Sequence, residues 1–507
     1  MTVPVVIVVG AGPTGITAAT LLAGYGVDVL VLDRWEGVYP QPRAVHLDDE
    51  SMRILARLGI ADEFAAISRP ALGLRLLDKT HHVLAEFGRT TEIGVHGYPQ
   101  ANMYDQPDLE HLLRTNLKNY PRVVLRGNVE VTDVTDDHRG RVRVSYTDRD
   151  SGAQHVVDAD YVLGCDGANS LVRNRIGVTM ADWRFDQRWL VVDIATTAEL
   201  AQWEGVHQVC DPVRAATYMR IGPTRYRWEF RLLPTERAQD FADLSALTPL
   251  IGPWIAGIDH RDLELVRVAE YTFRARIADR WRSGPIFLLG DAAHLTPPFI
   301  GQGLCAGLRD AMNLAWKLAG VLRGDFPEAV LNSYEAERKP HARYMIATAL
   351  GVGKAMTAGG RLGDALRRVI APRLHLIPGL RDKLVDGATP ALRRSALVGA
   401  RRTLRPGLTG RLAPNALLAN GQRLDDVQGG GFALITTTPP RGDQHAAIDT
   451  RGARVVVADP GTELATWLSR GRADAAVVRP DGTVMAAGRH LDTVLPHLPT
   501  FRPQQPR

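Results

Sequence analysis

Three cysteines (Cys165, Cys210 and Cys305) in 507 residues are too few and too widely spaced for a disulfide framework or a four-thiolate metal site. That scarcity fits a reducing, cytoplasmic setting. Lysine is scarce too, at only six of the 61 basic residues. The net charge of +5 is spread along the chain, with no lysine-rich run and no basic stripe interleaved with aromatics, which argues against nucleic acid as a partner. No apolar run approaches the roughly eighteen residues a membrane helix requires. The apolar start, Val3 to Val9, has no basic residue before it and no small-residue cleavage site after it, so neither an anchor nor a leader is predicted. Paired carboxylates, a serine-nucleophile motif and His/Cys metal spacing are all missing. His81, His82 and the isolated Asp-rich turns read as surface, and no metal is expected.

What is present is the composition of a folded chain, 45% apolar and 23% charged, long enough for about three domains. Val5 to Val9 is a mainly β-branched run ending in Gly10-Ala-Gly12-Pro13-Thr-Gly15. A helical pattern follows, then a second apolar run, Val29 to Leu32, closing on Asp33 and Arg34. Strand, glycine turn, helix, strand and acidic residue within about thirty positions form the dinucleotide fingerprint in its proper context. Gly10 serves the turn, Gly12 lets a pyrophosphate approach the helix N-terminus, Gly15 permits close packing, and Asp33 can hold a ribose hydroxyl. The plain alternative is an ordinary strand-helix-strand turn.

A second such stop occurs where Leu288-Leu-Gly-Asp-Ala-Ala-His294 leads through Pro297 and Pro298 to Gly301-Gln302-Gly303 and a long helical pattern from Leu304. A buried strand halting at Gly-Asp leaves Asp291 at a carboxyl end, placed to accept bonds from a hydroxylated ligand. The helix that follows aims its free N–H groups at whatever the glycines cradle. A third stop, Tyr161 to Asp166, precedes a helix near Ser170, which Asp166 could simply cap. Between these motifs, Val123 to Val162 reads as a β-meander. Residues 181–270 turn rich in Trp, Tyr and Arg, with alternation through Ala215 to Leu233 that predicts a sheet. Its aromatics could wall a pocket or be plain core. Arg214, Tyr218, Arg220 and Trp228 are the candidates for substrate contact, an arginine being able to pair with a substrate carboxylate. Arg43 lies in a Pro-rich loop and Gln106 upstream of a short helix, and neither says much alone.

Taken together, Gly10 to Gly15, Gly164-Cys-Asp-Gly167 and Gly290-Asp-Ala-Ala-His294 with Pro297-Pro298 and Gly301-Gln-Gly303 resemble the three signature motifs of single-component, FAD-dependent aromatic hydroxylases. Tyr39-Pro-Gln-Pro-Arg-Ala-Val-His-Leu-Asp-Asp-Glu50, Cys210-Asp-Pro-Val-Arg214 and Asn313-Leu-Ala-Trp-Lys-Leu318 look like the branch of 3-(3-hydroxyphenyl)propionate hydroxylases. The tail, with Arg479-Pro-Asp-Gly482 and no cysteine, is similar to the thioredoxin-like end of the phenol-hydroxylase group. The resemblance implies an α/β fold. A Rossmann-like FAD-binding domain of the glutathione-reductase type (1–180 and 271–375) would be interleaved with a mixed β-sheet substrate domain (181–270). A linker (376–410) and a thioredoxin-like domain without redox cysteines (411–507) would follow.

The resemblance also implies roles. Gly10, Gly12, Pro13, Gly15, Asp33 and Arg34 would bind the ADP half of FAD. Arg43 and Gln106 would reach the ribityl–pyrophosphate region, Asp166 would lie near the pyrophosphate, and Asp291, Gly301, Gln302 and Gly303 would hold the flavin half. The Gly303, Leu304 and Cys305 backbone would run along the isoalloxazine, and Pro298 would line the place where oxygen and substrate meet. His46 stands where some relatives carry glycine, so whether it touches flavin or substrate is open. The implied reaction takes electrons from NADPH or NADH as a transient reductant, activates O₂ as a C4a-hydroperoxyflavin, and hydroxylates a phenolic substrate. No second strand-linked fingerprint for the nicotinamide is found. A monomer or homodimer is expected. Two alternatives remain: a tailoring monooxygenase on a polycyclic phenol, and a non-catalytic FAD-fold binding protein. The Trp-x-Trp-x-Ile-Pro pattern of flavin-dependent halogenases is absent.

Overall fold

The computed structural model describes residues 5–39, 44–89, 92–137, 140–357, 371, 389–400 and 407–502. Arg43, residues 358–370 and much of the expected linker lie outside them.

A continuous β-branched run suits a strand covered on both faces. Val6–Val9 is such a strand, entirely buried, and pairs in parallel with Val29–Leu32 on one side and Tyr161–Gly164 on the other. The sheet has six strands in the order Arg282–Ser283, Ile286–Leu288, Tyr161–Gly164, Val6–Val9, Val29–Leu32, Val123–Arg126. All but the Arg282–Ser283 edge are parallel. Parallel strands put their carboxyl ends on one edge. That is why Gly10, Asp33, Cys165-Asp166 and Leu289-Gly290-Asp291, far apart in sequence, emerge side by side. The helices Pro13–Gly24 and Gly303–Leu322 pack against each other on this sheet.

The second large sheet has eight strands: His294–Leu295, Glu264–Ala278, Met180–Ala195, Arg225–Arg231, Ala216–Arg220, Val206–Val209, Gly73–Leu77 and Val83–Gly88. It takes its last two strands from before residue 180 and its first from the Asp291 segment, so chain on either side of 181–270 completes it. One face packs Leu190, Val192, Tyr218, Tyr226, Trp228 and Phe230 beneath Leu247, Ile251 and Trp254, the first two of these on the helix Leu244–Ile251. The opposite face looks toward the strand ends of the first sheet.

Residues beyond 407 form a third, thioredoxin-like unit. Its sheet runs Arg454–Val457, Ala433–Thr436, Ala475–Val478, Val484–Gly488, the first pair parallel and the others antiparallel. Ion pairs tie it to the rest: Arg53 donates to the half-buried Asp425 at 2.6 Å, and the fully buried Arg479 grips Glu337 at 2.9 and 3.0 Å. Among the described residues no helix is long and apolar enough to cross a membrane, and no cluster of three or more His, Cys, Asp or Glu suits a metal.

One buried carboxyl near this seam is strongly perturbed by its surroundings. Burial first, then the charges of Asp48 and Glu50, push Asp49 up to about 8. A raised carboxyl binds its proton more tightly folded than unfolded, so its contribution to stability falls as pH rises from about 4 to about 8. Asp49→Asn is therefore expected to stabilise the protein by roughly 1–3 kcal/mol at pH 8 and by little at pH 4, which urea midpoints at the two pH values would reveal. An equal effect at both would refute the assignment.

Candidate active site

The strand ends enclose a cavity of about 890 Å³ whose wall runs from the glycine turn to the uncovered face of the second sheet. At the turn, Gly10 has φ +104°, and a Cβ there would fall 2.4 Å from the Cys165 carbonyl oxygen. Gly15 is packed directly beneath Gly10. Gly12 differs: it lines the cavity, and a Cβ on it would meet nothing within 4 Å. Its open flank at the start of the Pro13–Gly24 helix is a cradle for an anionic group. Asp33 accepts from the Ala11 amide at 2.5 Å and the Trp35 amide at 2.7 Å, which fixes its carboxylate on the cavity rim. Arg34 also reaches the rim, but its side chain is mostly exposed and lies 3.5 Å from Glu130.

Asp166 lines the cavity, yet its carboxylate accepts from Ser170 Oγ at 2.5 Å and from the Val172 amide at 3.0 Å. Burial raises its pKa against these bonds. The capping geometry is thus present. Gln106 spans the loop side, accepting from the Ala44 amide at 2.7 Å and donating to Glu110 at 2.6 Å. Asp291 follows the strand Ile286–Leu288 in a tight helical turn and faces the cavity. Gly301, at φ +62°, turns the chain into the Gly303–Leu322 helix. The first bond in that helix runs from Ala306 N to Gln302 O at 3.0 Å, and Gly303 and Leu304 border the cavity.

Two neighbours turn away. Gln302 is buried and accepts from Arg309 at 2.9 Å. The Cys305 thiol points to the His46 and Gly301 carbonyls, and burial pushes it up to about 12. Neither side chain lines the cavity, which is bordered there by Gly301, Gly303 and Leu304. His46 is on the wall, its Nδ1 3.2 Å from the Gly301 carbonyl, and burial lowers its pKa so that it is neutral at neutral pH.

The substrate candidates require correction. Tyr218 and Trp228 lie on the covered face of the sheet, 2% and 0% exposed, against Trp254 and Tyr226. Arg220 donates to Glu204 at 2.8 Å and sits over Tyr226. Arg214 is paired with Glu236. None of the four lines the cavity. Alternation sends their neighbours there instead: Trp189, Val191, Thr217, Met219, Glu229 and Tyr271, with Arg89 at the sheet edge. Pro298 and Phe299 close the wall opposite, Phe299 meeting Trp189 edge-on at 6.0 Å.

Comparison with known proteins decides what such a cavity belongs to. An FAD binding domain family model matches residues 2–349. A probable NADH-specific resorcinol 4-hydroxylase of Rhodococcus jostii is 33% identical over 504 residues, spanning 96% of this chain and 92% of the relative. A 3-(3-hydroxy-phenyl)propionate/3-hydroxycinnamic acid hydroxylase of Burkholderia cenocepacia is 34% identical over 517 residues, spanning 95% and 93%. The chain belongs to the FAD-dependent aromatic hydroxylases. Solved structures of similar fold include the flavin-dependent monooxygenase PieE with FAD and substrate (TM-score 0.82, 25% identity, 98% of both chains) and aklavinone-11 hydroxylase with FAD and aklavinone (TM-score 0.80, 25% identity, 98% of both chains).

The residues of this hydroxylase fit an FAD: an open glycine cradle at a helix N-terminus, fixed carboxylates at two strand ends, and a second helix start along the same cavity. Asp291→Ala is expected to weaken FAD binding by roughly 1–3 kcal/mol, since donors on the ligand would lose their acceptor. Flavin retained equally on serial dilution would count against that role. Thr217, Met219, Glu229 and Arg89 escaped the sequence reading. The signal was the strand alternation itself, which separates two faces but does not say which one a helix covers.

Proposed function

We propose that this chain hydroxylates a small phenol, using NADH or NADPH as a transient electron donor and O₂ as the oxygen source. The observation that carries the reading is one continuous cavity joining the glycine cradle to an apolar sheet wall with a few polar groups. When bound, FAD supplies the electron transfer and oxygen activation. Gly12 and Pro13 offer the helix N-terminus to the pyrophosphate, and Asp33 takes a ribose hydroxyl. Asp291 accepts from the ribityl chain, with Gln106 on the loop side. Asp166 acts through the loop it caps. The amides of Gly303 and Leu304, with the positive end of their helix, would stabilise negative charge on a flavin bound in the cavity they border. Pro298, Phe299 and Trp189 keep water from the reacting atoms. His46 holds Gly301, and so the helix start, in place.

The chain works in the cytoplasm, as monomer or homodimer, without nucleic acid or membrane. Purified protein should be yellow and should oxidise NADH or NADPH faster when resorcinol or 3-(3-hydroxyphenyl)propionate is added, with a product one oxygen heavier. Flavin-loaded protein whose NAD(P)H oxidation no phenol accelerates would sink the reading. The size of the cavity and the likeness to aklavinone-11 hydroxylase favour one second reading, a polycyclic phenol as substrate. Turnover of a polycyclic phenol with none of a one-ring phenol would select it.

A further inference from the structure

Glu229 stands out on the sheet face that lines the cavity. It is 9% exposed, it faces the cavity, and among the described residues its carboxylate makes no hydrogen bond or ion pair. A buried carboxylate without a partner is costly, so a group in that state at a cavity wall points to a ligand that completes it. Its surroundings are specific. Across the strands Glu229 is opposite Thr217 on one side and Val191 on the other, and Thr217 is opposite Gln208. Gln208 donates to Thr217 Oγ1 at 2.8 Å. All four residues line the cavity. The wall therefore carries one polar row, Gln208–Thr217–Glu229, between apolar Val191, Val206 and Met219.

The next row closes off other uses of Glu229. Arg227 donates to Asp193 at 2.7 and 2.9 Å, and Arg267 donates to the same carboxylate at 2.6 Å. Asp193 thus takes two bonds from Arg227, the cation whose charge acts most on Glu229. Burial raises the Glu229 carboxyl while Arg227 pulls it down. The residue turns an acceptor into the cavity for a substrate hydroxyl, and in its ionised form it would repel a substrate carboxylate placed against it.

We propose that Glu229, flanked by Thr217 and Gln208, is the acceptor for a substrate hydroxyl, and that it selects an uncharged dihydric phenol over a phenol bearing a carboxylate side chain. This deepens the phenol reading and rests on it. A buried acceptor built for a hydroxyl discriminates strongly against analogues that leave it unpaired or repel it. The chain's two kinds of hydroxylase relative differ in this respect, one named for resorcinol and the other for a propionate.

The test uses the FAD-loaded enzyme, titrated with resorcinol and with 3-(3-hydroxyphenyl)propionate while the visible spectrum of the bound flavin is followed, alongside steady-state NADH oxidation. Glu229→Gln should raise the Kd and KM for resorcinol by about tenfold or more, the cost of one hydrogen bond to a charged acceptor, with flavin content and Tm unchanged. Binding of the propionate should be unchanged or tighter in the same variant. Thr217→Val, which removes the neighbouring hydroxyl and leaves the carboxylate in place, should weaken resorcinol by a smaller factor. If wild type binds phenols and Glu229→Gln binds them equally well, the inference fails while the phenol reading stands. If wild type prefers the propionate and loses it on Arg89→Met, the inference is overturned in favour of a cationic reader at the sheet edge. A wild type that no phenol perturbs removes both readings.

Discussion

Gly12→Asp is expected to purify as a folded, colourless protein whose affinity for FAD is at least roughly a hundredfold weaker, about 3 kcal/mol. The backbone permits the change: Gly12 is the N-cap of the Pro13–Gly24 helix with φ −70° and ψ 177°, ordinary extended values. Asp is among the best N-caps, and its charge suits the helix dipole, so the apoprotein should melt at the same temperature or slightly higher. A Cβ there would project into space with nothing within 4 Å, so no neighbour has to move. The penalty falls wholly on the ligand: the carboxylate takes the amides that a pyrophosphate would use and repels its charge. Gly15 offers a contrast, because a Cβ on it would overlap the Gly10 carbonyl at 1.9 Å; substitution there should damage folding as well as binding. The measurements are the apoprotein Tm and flavin uptake by fluorescence quenching. A yellow Gly12→Asp protein with unaltered affinity would place the anionic part of the ligand elsewhere.

That contrast also marks what could be read from sequence. The cofactor half was legible because its signals are local: a β-branched run, a glycine turn and an acidic stop repeat at Gly10, Gly164 and Gly290, and parallel pairing brings the stops to one edge. The substrate wall was not. Alternation through Ala216–Arg220 and Arg225–Arg231 gives two faces, one of them aromatic, and Tyr218 and Trp228 supply the large apolar area that a covered face buries. The face left for a ligand carries Thr217, Met219 and Glu229, unremarkable one by one. Gln302 and Cys305 show a finer limit. The motif places the helix start at the site, whereas the direction of each side chain depends on its partners, Arg309 for Gln302 and the His46 and Gly301 carbonyls for Cys305. His46, ambiguous in sequence, acquires its place only through contact with Gly301.

The same limit applies to the seam between the helices and the thioredoxin-like unit, where the second large effect is expected. Asn313 and Lys317 belong to one sequence motif and Arg479 to another, and Glu337 joins them: it accepts from Arg479 at 2.9 and 3.0 Å, from Lys317 at 2.8 Å and from Asn313 at 2.8 Å. Lys317, Glu337 and Arg479 are fully buried. Such a network adds little relative to an apolar core, but removing one member strands the others' charge, at roughly 3–5 kcal/mol. Glu337→Gln should therefore lower the urea midpoint strongly, and adding Lys317→Met and Arg479→Met should recover much of the loss. Burial alone would raise the Glu337 carboxyl, but Arg479 and then Lys317 outweigh it and hold it well below the usual carboxylate range. A depressed carboxyl contributes stability that is complete above its unfolded pKa, about 4.3, and is lost as pH falls toward the folded value. The gap between wild type and Glu337→Gln should accordingly be constant from pH 5 to 7 and narrow below about pH 4. Because Lys317 and Asn313 sit on the helix whose first turn borders the cavity, the variant should also release FAD at lower urea than wild type. A Glu337→Gln protein as stable as wild type, with the same acid limb, would show that the thioredoxin-like unit is held by its apolar contacts instead.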